Sequence, residues 1–238
     1  MAILNNDVEL APDYFAKLTA VAPDVAFATG KILSYHDRTR IDGAFDLVSR
    51  AFCPWRAGSG QIDGSPWDKA RTIQLAPFTA LLIRRPVFSR IGPLDARFES
   101  YLEDTDFGIR CALAGLAGMY VPQAVAFHRG SATLGAWSNR MVRLNSRNQV
   151  FLVAKHSPEP GSQAVVVGQL LWGLLALRHG TGSAWARGKW DAFRQYKAMR
   201  SQPHTGIAAL LAESEGQIRE LSRDTYWRWY FRLAGRAL

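Results

Sequence analysis

The chain has 238 residues, 48% of them hydrophobic, which is enough for a globular protein with a sizeable buried core. Its two cysteines, Cys53 and Cys111, are too few for a disulfide framework and lack metal-ligand spacing. The net charge of +9 is unevenly placed: residues 1–138 carry 14 Lys+Arg against 14 Asp+Glu, whereas residues 139–238 carry 15 against 6.

Ala2-Ile3-Leu4 reads as the end of a buried strand that runs directly into Asn5-Asn6-Asp7. Pro12 suits the first position of a helix, with Phe15, Leu18 and Val21 at helical spacing and a stop near Pro23. Val25 to Ala28 predicts a short strand ending at Gly30, so the opening is strand–helix–strand material for an α/β sheet. From Asp46 to Arg71 the composition turns to Gly, Ser, Pro and Trp, which predicts a long irregular loop of the binding or lid type. Ile73 to Ile83 is strand-like. Arg84-Arg85-Pro86 opens a short helix closing at Gly92, and a further helix runs from about Glu103 to before Gly115. Two short apolar runs follow, Met119–Val121 and Val125–Phe127, the second delivering His128.

The second half reads as helical. Asn139 to Lys155 places Arg140, Arg143 and Arg147 on one face, and Ala164 to Leu177 is apolar except at Gly168, Gln169 and Gly173. Its 14 residues fall short of the ~20 that span a bilayer, which predicts a buried or interfacial helix. Two further helices, near Trp185–Arg200 and Ile207–Gly235, are rich in Arg, Lys and aromatics.

Three places can carry chemistry. Asp7, with the Asn5 amide, offers hard oxygen ligands where a strand breaks into a loop, although an Asn/Asp turn capping the next helix explains the same residues. Glu103-Asp104-Thr105-Asp106 crowds three carboxylates at a helix start, where they either complement the helix dipole or shift one another's pKa toward a general base. His128 precedes Arg129-Gly130-Ser131 and is either a structural histidine or a ligand. The arginine stripe is a solvated face or a grip for a diphosphate.

The order of these pieces narrows the choice. Leu4-Asn5-Asn6-Asp7, then Gly92-Pro93-Leu94-Asp95-Ala96-Arg97-Phe98, Tyr101-Leu102-Glu103-Asp104-Thr105-Asp106-Phe107, Arg110, Gly115, Pro122 and His128-Arg129-Gly130-Ser131 form one phrase. It resembles the C-terminal half of family 2 glycosyltransferases, most closely the rhamnosyltransferase-like branch, over residues 1 to about 155. The resemblance implies a partial GT-A fold, an α/β mixed sheet with flanking helices, over residues 1–155, followed by a basic, aromatic-rich helical region over 156–238.

Carried over by position, the resemblance makes Asp104 the catalytic base of an inverting displacement, with Glu103 and Asp106 beside it for substrate. Asp7, Asn5 and His128 would hold Mg²⁺ or Mn²⁺ on the donor diphosphate. Trp55 would stack on an acceptor sugar or else pack as part of the core or loop, and Arg143 and Arg147 would contact substrate phosphate. The implied partners are a nucleotide-diphosphate sugar and a saccharide or lipid-linked acceptor. Trp227-Arg228-Trp229-Tyr230-Phe231-Arg232 would dock on an anionic membrane, or else pack its aromatics inward.

The expected location is cytoplasmic, since no basic-then-apolar leader opens the chain, and peripheral on the inner face of the plasma membrane. Nucleic acid is not an expected partner, because no zinc-finger, RNP-like or helix-turn-helix signature accompanies the charge. The sequence starts at the metal motif, without the nucleotide-binding half that such enzymes carry, so little turnover by the chain alone is expected. The alternative is a non-catalytic acceptor-binding or membrane-associated scaffold.

Overall fold

The computed structural model describes residues 1–21, 25–130 and 137–235. Pro23 and Ser131, both singled out in the sequence, lie outside the described residues. The chain groups into two compact units: Met1–Leu47, Arg56–Leu94 and Asp104–Ala132 form the first, and Val48–Trp55, Asp95–Glu103 and Thr133–Leu238 the second. In this grouping the helix that begins at Asn139 goes with the later helices.

The first unit holds strands β1 (Ala2–Leu4), β2 (Val8–Leu10), β3 (Phe27–Ser34), β4 (Ile41–Gly43), β7 (Arg71–Ile73), β8 (Ala80–Ile83) and β9 (Gly118–His128). They form one sheet of order β1-β8-β3-β9-β2, with β4 added on β3 and β7 on β9. β3 and β9 run parallel from Phe27↔Gly118 to Ser34↔His128, and the other pairings are antiparallel. β5 (Asp46–Val48) and β6 (Pro54–Arg56) make a separate two-stranded hairpin. Helices α1 (Tyr14–Thr19), α2 (Arg85–Ile91) and α3 (Glu103–Leu113) complete the set that precedes the helical second half. A mixed sheet with flanking helices, followed by C-terminal helices, matches the expected class and is consistent with part of a GT-A fold.

Several strands differ from their sequence expectation for identifiable reasons. β3 passes through Gly30 instead of stopping there, because the register slips: Gly30 pairs with Val121 but Lys31 with Val125. The looped-out residues of β9 include Pro122, which has no N–H to give to a ladder, so the two apolar runs join as one bulged strand. The Gly30 N–H donates instead to the Tyr14 hydroxyl at 3.0 Å, and that hydroxyl donates to the Ala80 carbonyl at 2.7 Å. A Cβ on residue 30 would sit 2.1 Å from the Ala124 carbonyl oxygen, so only glycine fits. The expected strand over 73–83 is broken at Pro77 into β7 and β8, which pair with different neighbours. β1 is an edge strand with Leu4 exposed, not a buried one. Within the irregular stretch, Lys31 clamps the loop: its Nζ lies 2.6 Å from Asp63 and 2.5 Å from Asp68.

The second unit holds α4 (Asn139–His156), α5 (Gln163–Arg178), α6 (Gly182–Met199), α7 (Ile207–Leu221) and α8 (Thr225–Leu233). The two glycines of α5 are close-approach points: a Cβ at Gly168 would fall 2.2 Å from Ala51 Cβ, and one at Gly173 would fall 2.7 Å from Trp185. Between these helices lies a half-buried lysine. Lys189 Nζ donates to the Ser146 carbonyl at 2.9 Å and to the Gln169 side-chain oxygen.

Burial pulls the Lys189 pKa down to about 7, against a weaker upward pull from Cys53. The unfolded chain therefore binds a proton there, between pH 7 and the ordinary lysine value, that the folded chain does not bind. Stability must rise with pH in that window. Above about pH 9 the Cys53 thiol, pushed up by burial to about 11, opposes this, because it ionises first in the unfolded chain. We expect stability by urea unfolding to climb between pH 7 and 9, at no more than about 1.4 kcal/mol per pH unit from this group. Lys189→Met should flatten that rise.

Candidate active site

The parallel β3–β9 pair, with β2 and β4 antiparallel on either side, brings three separate stretches to the end of β9. Val8 lies opposite His128 across β2–β9, and the Arg129 N–H donates to the Asp7 carbonyl at 3.0 Å. These bonds hold the Asp7 side chain beside the imidazole, with Asp7 Oδ1 3.2 Å from His128 Nε2. On the other side of the ring, Asp42 of β4 places Oδ2 2.9 Å from Nδ1. Burial opposes a charge on His128, but the Asp42 hydrogen bond and the Asp42 and Asp7 charges outweigh it, and the pKa is raised.

A second group lies next to the first. Asp46 is buried and accepts from Arg56 Nε at 3.3 Å, while Arg56 Nη1 reaches the Thr79 hydroxyl at 3.4 Å. Burial drives the Asp46 carboxyl up to about 6; Arg56 pulls it back, and the Asp104 and Asp42 carboxylates push it further. The same three carboxylates keep the desolvated Arg56 guanidinium charged. Gly43 makes room for this arginine, since a Cβ there would meet Arg56 Cδ at 2.4 Å.

Asp104 is half-buried in the first turn of α3, and its Oδ1 accepts from the Thr105 N–H at 2.7 Å. Asp7, His128 and Asp104, all expected from the sequence, are thus coupled through Asp42, Asp46 and Arg56, which were not expected. Asn5 is exposed and is joined to the Thr79 carbonyl through its backbone N–H at 2.9 Å. Glu103 opens α3 and groups with the second unit, Asp104 with the first.

Other sequence-expected residues have structural work instead. Asp106 is fully buried and paired with Arg110 Nε at 3.0 Å, and Arg110 also donates to the Ile91 and Pro93 carbonyls, so Asp106 has no face for a substrate. Trp55 is buried with Nε1 donating to Asp224 at 3.0 Å, the core packing that the sequence offered beside sugar stacking. Arg147 is buried too. It pairs with Glu99 and donates to the Phe98 carbonyl at 2.8 Å, and the neighbouring Asn148 amide nitrogen lies 2.7 Å from the Tyr101 carbonyl. Together they pin a turn in which Glu99, Tyr101 and Leu102 all adopt positive φ. Arg143 is bound to Asp191 at 2.6 Å; with Arg140, Arg147 and Arg187 it lines a cleft of about 460 Å³ in the second unit. In the basic tail, Trp227 and Tyr230 are buried, so the segment packs partly inward.

Among curated proteins, 105 residues of the chain, 44% of it, are 34% identical to N-acetylglucosaminyl-diphospho-decaprenol L-rhamnosyltransferase of Mycobacterium tuberculosis, strain CDC 1551 / Oshkosh. The protein of the same name from strain ATCC 25618 / H37Rv matches equally. The match spans 34% of these relatives, so the chain corresponds to about a third of their length. No family profile matches the chain. Over that region the chain is similar to a glycosyltransferase, in agreement with the motif order.

Arg56 is a counter-charge for Asp42, Asp46 and Asp104, so removing it leaves the buried Asp46 carboxylate without its cation. Arg56→Met should cost about 3–5 kcal/mol of stability at neutral pH, measured by denaturant unfolding. Asp46→Asn in the same background should recover part of that loss.

Proposed function

We propose that the chain carries the acceptor-side and metal-binding part of an inverting glycosyltransferase, which moves a sugar from a nucleotide-diphosphate donor to a lipid-linked or saccharide acceptor. Rhamnose is the sugar favoured, since both relatives are named as rhamnosyltransferases. The observation that carries this reading is the electrostatic coupling of Asp104 to the Asp7–His128–Asp42 group through Asp46 and Arg56.

Asp104 would accept the acceptor hydroxyl proton as that oxygen bonds to the anomeric carbon of the donor. The bond from that carbon to the donor phosphate oxygen breaks in the same displacement, the nucleoside diphosphate departs, and the configuration inverts. Asp7 and His128 fit a divalent cation in donor type, one carboxylate and one imidazole facing each other. Among the described residues no group of three or more His, Cys, Asp or Glu is arranged to hold a metal. Magnesium commonly needs only one or two carboxylates when substrate phosphates supply the rest. The four carboxylates Asp7, Asp42, Asp46 and Asp104 interact with Arg56 and His128, and a divalent cation on His128 Nε2 would take the place of the proton that the imidazole otherwise holds there. Mg²⁺ or Mn²⁺ held there would neutralise charge developing on the leaving diphosphate. His128, bracketed by Asp42, keeps its ring oriented with Nε2 toward Asp7.

The test is transfer from dTDP-rhamnose to a polyprenyl-diphosphate-linked N-acetylglucosamine in the presence of Mn²⁺. Asp104→Asn should lower the rate by about 10²–10⁴-fold with unchanged acceptor binding and thermal melting. Equal rates for variant and wild type would remove Asp104 as the base. Acceptor binding with no transfer by the wild type, even when a nucleotide-binding half is supplied as a separate chain, would favour the non-catalytic alternative.

A further inference from the structure

Helix α5 is apolar on every side, yet half of it faces outward. Ala164, Val165, Gly168, Gly173 and Ala176 are buried, whereas Val166, Leu170, Leu174 and Leu177 are 48%, 56%, 61% and 61% exposed. Steps of four, four and three residues put these four side chains on one helical face. A helix apolar all round is normally covered on all sides, and a row of exposed leucines is costly in water. The aromatic residues of its neighbours extend the anomaly. α6 packs along α5 and carries Trp190 and Phe193, stacked on each other and 61% and 72% exposed. α8 also packs on α5 and exposes Trp229 and Leu233 while burying Trp227 and Tyr230.

Charge identifies the occupant. Besides Lys189, which is turned inward, α5, α6 and α8 together hold six exposed Lys or Arg (Arg178, Arg187, Arg194, Lys197, Arg228 and Arg232) and one acidic residue, Asp191, already tied to Arg143. Apolar side chains and exposed tryptophan among exposed basic residues are what an anionic lipid headgroup layer over an acyl boundary would match. At ~1.5 Å per residue α5 is shorter than the ~30 Å hydrocarbon core. No helix among the described residues is long and apolar enough to cross a membrane. The fit is therefore to a helix lying in the surface.

We propose that the outer face of α5, with Trp190 and Phe193 of α6 and Trp229 of α8, docks on an anionic bilayer, α5's aliphatic row entering the acyl boundary. This deepens the proposed function by naming the surface in which a lipid-linked acceptor resides. It is tested without donor or acceptor, so the two fail separately.

The experiment is flotation of the chain with phosphatidylcholine vesicles, with and without phosphatidylglycerol, containing no polyprenyl lipid. The wild type should float with the anionic vesicles. Leu170→Gln/Leu174→Gln should cut the bound fraction about tenfold, with unchanged far-UV circular dichroism and melting. Arg194→Gln/Arg228→Gln should weaken binding to the anionic vesicles alone, by roughly fivefold per charge. Failure of the wild type to float, or equal flotation of the leucine double variant, would overturn the proposal. So would a concentration-dependent dimer in sedimentation that the same double variant dissolves, which would assign the face to a second copy of the chain.

Discussion

Placing one half-buried guanidinium among three carboxylates is the arrangement on which the first unit's polar centre depends. Arg56 gives up part of its hydration, and the charges of Asp46, Asp104 and Asp42 offset that loss. The cost appears at Asp46, the most deeply buried of the three, whose carboxyl is driven up to about 6 by burial even with Arg56 3.3 Å away. A pair of this kind adds little net stability over apolar packing, yet losing one partner is expensive. Its presence is better explained by what it assembles. The hairpin bearing Asp46 and Arg56, the β4 carboxylate of Asp42 and the first turn of α3 are all coupled by one cation.

That coupling also gives the sheet topology its chemical meaning. The parallel β3–β9 pair ends at Ser34↔His128, and β2 and β4 run back on either side, so Asp7 and Asp42 flank the same imidazole. The bulge that accommodates Pro122 is part of this arrangement, because the register beyond it sets which residue of β3 meets His128. The Tyr14 hydroxyl satisfies the backbone N–H that the bulge releases. A surface helix, α1, thereby supports the register that delivers the site.

The sequence made part of this visible. Asp7, Asp104 and His128 stand at boundaries between apolar runs and polar turns, where residue type and position suffice, and their order along the chain matched a known phrase. Asp42, Asp46 and Arg56 were hidden because the first lies just before, and the other two within, a Gly-, Pro- and Trp-rich stretch with no periodicity, and they meet only through the sheet and a hairpin. The one local sign was Gly43 beside Asp42, whose missing Cβ admits Arg56. Trp55, Asp106 and Arg147 have residue types that suit ligand binding, but each is buried against a partner far away in sequence or one turn along, and burial of a single side chain is a tertiary fact.

The second unit shows why net charge by itself is a poor guide to a docking surface. Of its basic residues, Arg147 is spent on a strained turn, Arg143 on Asp191, Lys189 on buried helix carbonyl and amide oxygens, and Arg50 on the buried Glu215 at 2.8 Å. Similarly, the tail's aromatics divide: Tyr230 donates to Glu215 inside, and Trp229 stays outside. Outside these partners lie the exposed row on α5 and the outward arginines of α6 and α8. The basic excess of the second half thus includes cations that stabilise the helices and cations that face solvent on the helices packed against α5. Only the latter group can contribute to binding a membrane, since a cation already neutralised by a buried carboxylate gains little from a lipid phosphate.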